Sequence, residues 1–502
     1  MSTDVPSRTP RTLSLLARHD IEASMVGRRV DSLPAEGVIV ERVLLWAFIA
    51  GLAWCPFWFG SNAPLAWGIN AVLFPGLVAI YELSLLIRGK SHPVAMKQIK
   101  VSAALFATVV FWILIQNATW TPNSLHHPIW QMAADELDGP IDGSISVNRE
   151  LTSLALLRLI TAASAFWLAM QLCRDAPRAN FLLKSVATIS CAYSAYGLFA
   201  VAFTPGRVLW VASPFPRTGF ATSTFINPNS FATYAGMGLL VFCGLILGLY
   251  RNELTAAGGS LRFRIASFIE VTGQKGALLL GGAFVTLVAL LLSQSRGGNL
   301  STAVGLLVFG ALALKARSQG FREQRAAIVI FGALLVVLVG VVFLAFGGAV
   351  TGRIAQQGVQ DSNRIAIYTI TIRSILGSPL LGYGYGTFAD VFPMFRDRSL
   401  STFDAWQMAH STYLEVFQGL GLVFGSMLVA SIVLLAAGCA KGAMMRQENE
   451  AIPCVAVAVA VLIAVHSLVD FSLQIQAIGV TFMALLGAGV AQSKSSRLTL
   501  AD

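Results

Sequence analysis

A chain of 502 residues that is 56% hydrophobic and only 12% charged, with a mean hydropathy of +0.70, is too apolar for a large soluble protein and reads as an all-α polytopic membrane protein. The formal net charge of +10 would suit a polyanion, but Lys and Arg gather on alternate connections between apolar runs. The charge is therefore assigned to membrane topology, and no nucleic-acid partner is expected.

Residues 1–37 form a polar, Arg-rich tail without a cleavable signal pattern, so the first span is expected to be an uncleaved anchor. Apolar runs long enough to cross a bilayer as helices lie near 42–59, 64–87, 99–117, 151–173, 181–203, 229–250, 276–293, 299–315, 326–347, 413–439, 452–470 and 474–492. That makes about twelve spans, each close to the ~20 residues that a bilayer requires. Most basic residues fall inside if both termini are cytoplasmic. The transmembrane domain is then 38–492, with a short cytoplasmic tail at 493–502. Cys55, Cys173, Cys191, Cys243, Cys439 and Cys454 lie in or at the ends of spans without metal-ligand spacing and read as packing residues.

Three outer segments are substantial: 118–150, 204–228 and the polar loop 348–412 between spans nine and ten. The first is acidic, and its His126-His127 pair has no partner at ligand spacing, so it reads as surface structure with no metal. In the second, three prolines precede Arg217 and put that side chain on a rigid loop; Asn229 or Ser230 then caps span six. The third carries five arginines and ends at His410, followed by Tyr413 and Glu415. Long polar segments inside a compact protein are functional or disordered, and the glycines and aromatics of this one argue for function.

Ionisable residues near membrane depth are costly and mark function by default. Arg296 sits on the outer turn between spans seven and eight, beside Gly297 and Gly298, which would let a ligand approach the backbone. Arg158 lies two turns into span four, as a substrate contact or half of a structural ion pair. His466 and Asp470, four residues apart, would share one face of span eleven as a structural pair or a proton relay.

Arginines with one histidine and no metal spacing suit a site that grips an anionic group and moves a proton. Guanidinium forks match phosphate oxygens, and an imidazole can act as a general base near neutral pH. At a membrane boundary this chemistry points to a lipid-linked diphosphate, with arginines in the place of a divalent cation.

The strings PFWFGSNAP, FINPNSFATYAG, SQSRGG, SPLLGYGYGTFADVFPMFR, AHSTYLEVFQGLGLVFG and HSLVDFSLQIQA, in this order, resemble the O-antigen ligase and Wzy-type polysaccharide polymerase superfamily over about residues 45–490. The resemblance implies a glycosyltransferase-C-like, metal-independent enzyme without cofactors in the bacterial cytoplasmic membrane. It would use undecaprenyl-diphosphate-linked oligosaccharides at the outer face. Carried over by motif, His410 is the base or acceptor-positioning residue, Arg296 and Arg217 hold the diphosphate, and Arg364 is a further phosphate contact. Arg158, Asn229, Tyr413, Glu415, His466 and Asp470 are supporting residues. The family's usual His-Asn pair reads His410-Ser411 here, which departs at the second position. Besides the lipid-linked donor and membrane lipid, a chain-length regulator and a flippase are expected partners.

The HSLVDF ending and the AHSTYLE form of the loop tilt this reading toward a polymerase of exopolysaccharide or O-antigen units. Ligation to the lipid A core or to a protein is the alternative. A transporter of polysaccharide or solute is the third reading, disfavoured by the missing repeat and by the largest loop lying outside.

Overall fold

The computed structural model describes residues 35–212, 219–256, 270, 272–315, 362–400, 405–446 and 450–493. The described helices are α1 (Ala35–Phe57), α2 (Pro64–Ile87), α3 (Lys100–Asn117), α4 (Ile129–Glu136), α5 (Arg149–Leu172), α6 (Ala176–Phe203), α7 (Pro228–Ala256), α8 (Ala277–Leu292) and α9 (Arg296–Lys315). They continue with α10 (Ser362–Gly377), α11 (Phe388–Phe395), α12 (Thr412–Met445), α13 (Ala451–His466) and α14 (Gln476–Ala491). A two-residue antiparallel hairpin, β1 (Arg207–Val208) with β2 (Val211–Ala212), is the sole sheet among the described residues. Eight helices among them are long and apolar enough to cross a membrane, and α8, α13 and α14 are shorter apolar helices. The chain is thus an all-α, multi-pass membrane protein. The predicted ninth span, 326–347, lies outside the described residues.

The helix starts follow local chemistry. Asn148 accepts from Leu151 N at 3.0 Å to cap α5, and Asp175 accepts from Arg178 N at 3.0 Å to cap α6. Proline opens α2 and α7, where its missing N–H costs nothing. In α7 the capping side chain is Asn227, whose Oδ1 accepts from Asn229 N at 2.8 Å. Neither Asn229 nor Ser230, the two expected caps, has that role, because Pro228 fixes the first helical position one residue earlier.

Helices α7, α13 and α14 form the buried centre, with α5 along α14, α9 along α13 and α8 against α7. One end of the bundle is fastened by the buried Glu41 of α1, which receives Arg174 at 2.9 Å and Arg178 at 2.6 Å. The opposite end carries the polar connections and is called the site end below.

The polar loop expected at 348–412 is partly helical, since α10 and α11 both fall within it. Between them the glycine-tyrosine stretch 382–386 lies against an opened turn of α12. Gly421, at φ +76°, breaks that helix, and a side chain there would strike the Leu380 carbonyl. The freed backbone is satisfied by the loop: Tyr383 N donates to Gln418 O at 3.1 Å and Gly384 N to Gly419 O at 3.0 Å. Gln116 Nε2 reaches both Leu381 O and Gly419 O, at 2.7 and 2.8 Å. These bonds pair backbone groups that an opened helix would otherwise leave to apolar surroundings, which a membrane environment penalises.

Candidate functional site

The site is organised around the turn 466–472, which connects α13 to α14. Helix α13 ends at His466, so Asp470 does not follow it on one helical face as expected but lies in the turn beyond. The apolar Leu468 and Val469 prolong the helical pattern in sequence, yet Val469 N already closes a tighter bond to His466 O at 3.0 Å.

Asp470 is 1% exposed and collects polar neighbours from several elements. Asn229 of α7 donates its amide to Asp470 Oδ1 at 3.1 Å, and Ser472 donates its hydroxyl to Oδ2. The Nδ1 of His410 faces the same Oδ1 at 3.8 Å, an ion-pair distance beyond hydrogen-bond reach. Burial works to raise the Asp470 carboxyl, but His410, His466 and the Ser472 hydroxyl hold it below the usual carboxylate range. His466 is buried beside it and pairs through Nδ1 with Thr233 Oγ1 at 2.6 Å.

His410 is held in place by its backbone. Its φ of +55° lies in the left-handed region, uncommon for a residue with a side chain. Tyr368 of α10 donates to its carbonyl at 2.9 Å, and Thr412 N donates to Ser467 O at 2.9 Å. Phe471 borders the imidazole at 5.2 Å between ring centres and Trp406 at 6.0 Å. Ser411, at the position where the family motif has Asn, is buried and directs its hydroxyl to Ser467 O at 3.4 Å.

One predicted arginine reaches the same turn, and the segment that carries a second packs against it. Arg364 donates to Val469 O at 3.1 Å. Arg296 opens α9 after Gln294, another left-handed residue at φ +54°. Its neighbour Gly297 packs so closely on the turn that an added Cβ would lie 3.0 Å from His466 Nε2 and 3.2 Å from Val469. Ser295 bridges the two walls, donating to Asn229 Oδ1 at 2.7 Å while accepting from Gly298 N at 3.1 Å. Arg217 lies outside the described residues.

A second polar group stands one turn away. Glu415 accepts from Ala409 N at 2.7 Å and from Gln474 Nε2 at 2.8 Å, so one oxygen braces the backbone entering His410 and the other ties α12 to the segment before α14. Arg158 donates to Gln474 O and lies over the Trp67 ring at 4.5 Å. It therefore lines the support of the turn, and the ion pair expected as one reading is replaced by a carbonyl and an indole face. Tyr413 donates to Ala464 O at 3.1 Å, tying α12 to α13. Ser295, Thr233, Tyr368 and Ser472 were not predicted, since small hydroxyls and a lone tyrosine carry no signal in sequence. Among the described residues, no three His, Cys, Asp or Glu side chains converge to hold a metal ion.

The fold and the site define a multi-pass helical membrane protein with a histidine-carboxylate centre at a turn that also receives Arg364 and the segment carrying Arg296. Residues 281–429 match the family model described as O-antigen ligase, so this segment is similar to that family. It contains Arg296, Arg364, His410, Tyr413 and Glu415, whereas Arg158, Asn229, His466 and Asp470 come from outside it. No curated protein matches the chain.

Proposed function

We propose that the protein transfers a glycan from an undecaprenyl-diphosphate-linked donor to a sugar hydroxyl at the outer face of the bacterial cytoplasmic membrane. The observation that carries this reading is the juxtaposition of His410 with the buried Asp470, in a site whose turn also receives Arg364 and the Arg296 segment. The O-antigen ligase match supports glycan transfer in a membrane. Both termini would be cytoplasmic and the site end would face outward.

In this mechanism the buried Asp470 carboxylate, 3.8 Å from Nδ1, offsets the charge that develops on the imidazole as Nε2 takes the proton of the acceptor hydroxyl. The acceptor oxygen attacks the anomeric carbon, and the bond from that carbon to the diphosphate oxygen breaks. The diphosphate leaves with the electron pair. Arg296, Arg364 and Arg217 meet the charge that grows on it and make a divalent cation unnecessary. Activity should consequently persist in excess chelator.

Polymerisation of exopolysaccharide or O-antigen repeats is the favoured outcome, on the HSLVDF and AHSTYLE segments. The description of the matching family model favours a second reading, ligation to the lipid A core or to a protein. A chain-length regulator and a flippase would be partners of the polymerase.

The purified protein, incubated with lipid-linked oligosaccharide alone, should yield longer glycans and free lipid diphosphate. Product formed only after lipid A core is added would favour the ligase. Movement of the lipid-linked oligosaccharide across vesicles, with no new glycosidic bond, would sink both in favour of transport. His410→Ala should lower turnover by about 10²- to 10⁴-fold. Near-normal turnover in that folded, inserted variant would remove His410 as the base.

A further inference from the structure

A second polar concavity lies at the site end, apart from the His410 centre and outside the O-antigen ligase segment. It is an open cleft of about 560 Å³ lined by Asn117, Trp130, Asn148, Arg149, Glu150 and Ser153, within the size range of small-ligand sites. The sequence offered only an acidic loop here.

Its walls are held firmly. Trp130 of α4 donates its indole N–H to Ser146 O at 2.9 Å, and Arg149 lies over its ring at 5.1 Å. The amide of Asn148 donates to Asp390 of α11 at 2.7 Å, and Val147 N donates to Tyr383 O at 2.9 Å. These bonds join the cleft to the same loop that continues into His410. On the opposite wall Asn117 donates to Ser153 Oγ at 2.9 Å, while Asn117 Oδ1 finds no protein donor.

We propose that this cleft is a saccharide-binding subsite for an uncharged, hydroxyl-rich sugar ring of the glycan; it rests on the transfer reading above. The chemistry fits such a ring. Arg149 and Glu150 add a guanidinium and a carboxylate to the lining, and each amide keeps a second N–H beyond its bond to Ser153 or Asp390, a mixed set that suits neighbouring sugar hydroxyls. The charges of Arg149 and Glu150 balance, which disfavours an acidic sugar. Trp130 adds an indole to the lining, with Arg149 over its ring, and sugar C–H groups settling beside this pair would gain from dispersion and removal from water. A glycan held here would be tethered while its end is presented at His410, favouring repeated use of one chain.

The test uses Ser153→Trp, which fills the cleft from an exposed helix position, and Trp130→Phe, which keeps a ring but deletes the indole hydrogen bond. The probe is the oligosaccharide released from the lipid-linked donor by mild acid, with saturation transfer from the detergent-solubilised full-length protein read by NMR. Binding by the native protein, weakened about tenfold or more in Ser153→Trp with an unchanged thermal unfolding midpoint, is the expected result. In the transfer assay the same variant should raise KM for the acceptor about tenfold, shorten the products and leave kcat near the native value.

No binding by the native protein overturns the subsite. Native transfer with KM and product length unchanged in Ser153→Trp overturns it too, while leaving the proposed function standing. Binding that Ser153→Trp abolishes, in a protein that forms no glycosidic bond, supports the cleft and overturns the transfer reading instead.

Discussion

At the scale of single residues, Asp470 carries the most. Its carboxyl is held below the usual range, whereas an unfolded aspartate titrates near pH 4. A lowered folded value gives stability that is fully present above the unfolded value and lost as pH falls through the folded one. Asp470→Asn should therefore flatten the acid limb of a plot of unfolding midpoint against pH. In the transfer assay it should lower kcat about tenfold or more with little effect on KM, because its role passes through the His410 ring. Arg296→Lys keeps the charge but loses the fork, and a loss of about 10²-fold in kcat is expected if it meets the leaving diphosphate. His410, Arg296 and Glu415 stood out in sequence because charge at the end of an apolar run is expensive. The shared helix face expected of His466 and Asp470 does not form, and no proline or glycine marks in sequence where α13 stops. The cap of α7 was legible in principle, since Pro228 points to Asn227 as the residue before the helix.

Among elements, the opened turn of α12 is the least legible in sequence. Gly419 and Gly421 sit inside a run whose composition announces an uninterrupted span, and the reason for the break lies in a distant segment, the 379–384 backbone that supplies the missing hydrogen bonds. Gly421→Ala should destabilise the protein by about 1–3 kcal/mol from the glycine-only backbone conformation alone, with a further cost from the Leu380 carbonyl. The thermal midpoint in detergent measures this, and a midpoint equal to the native one would mean that the break is not required. The apolar periodicity of the other elements was readable because membrane depth imposes length and composition together.

For the whole molecule, the two ends of the bundle have different tasks. At the end opposite the site, Glu41 neutralises Arg174 and Arg178, joining α1 to the start of α6. Glu41→Gln removes the carboxylate that Arg174 and Arg178 share, while the half-buried Arg178 keeps Asp175, and should cost about 1–3 kcal/mol, read as a lowered unfolding midpoint. The orientation assigned from basic residues is checked by reporter fusions: one placed after Gly139 should be active only outside the membrane, and one after Ser493 only inside. The general architecture was legible from hydropathy, while the meeting of remote turns was not, because nothing in a linear pattern ties Asn229 to Asp470 or Arg364 to Val469.

The turn 466–472 is synthesised after α7, α10 and His410, whose residues it meets. Until it is made, His410 has no buried carboxylate facing it, Arg364 lacks the Val469 carbonyl and Asn229 lacks the Asp470 oxygen. A chain still being inserted would thus hold an incomplete centre even with α1 to α12 in the membrane. Synthesis order itself would withhold chemistry from unfinished copies, and a stop codon ahead of Asp470 should be as damaging as loss of His410.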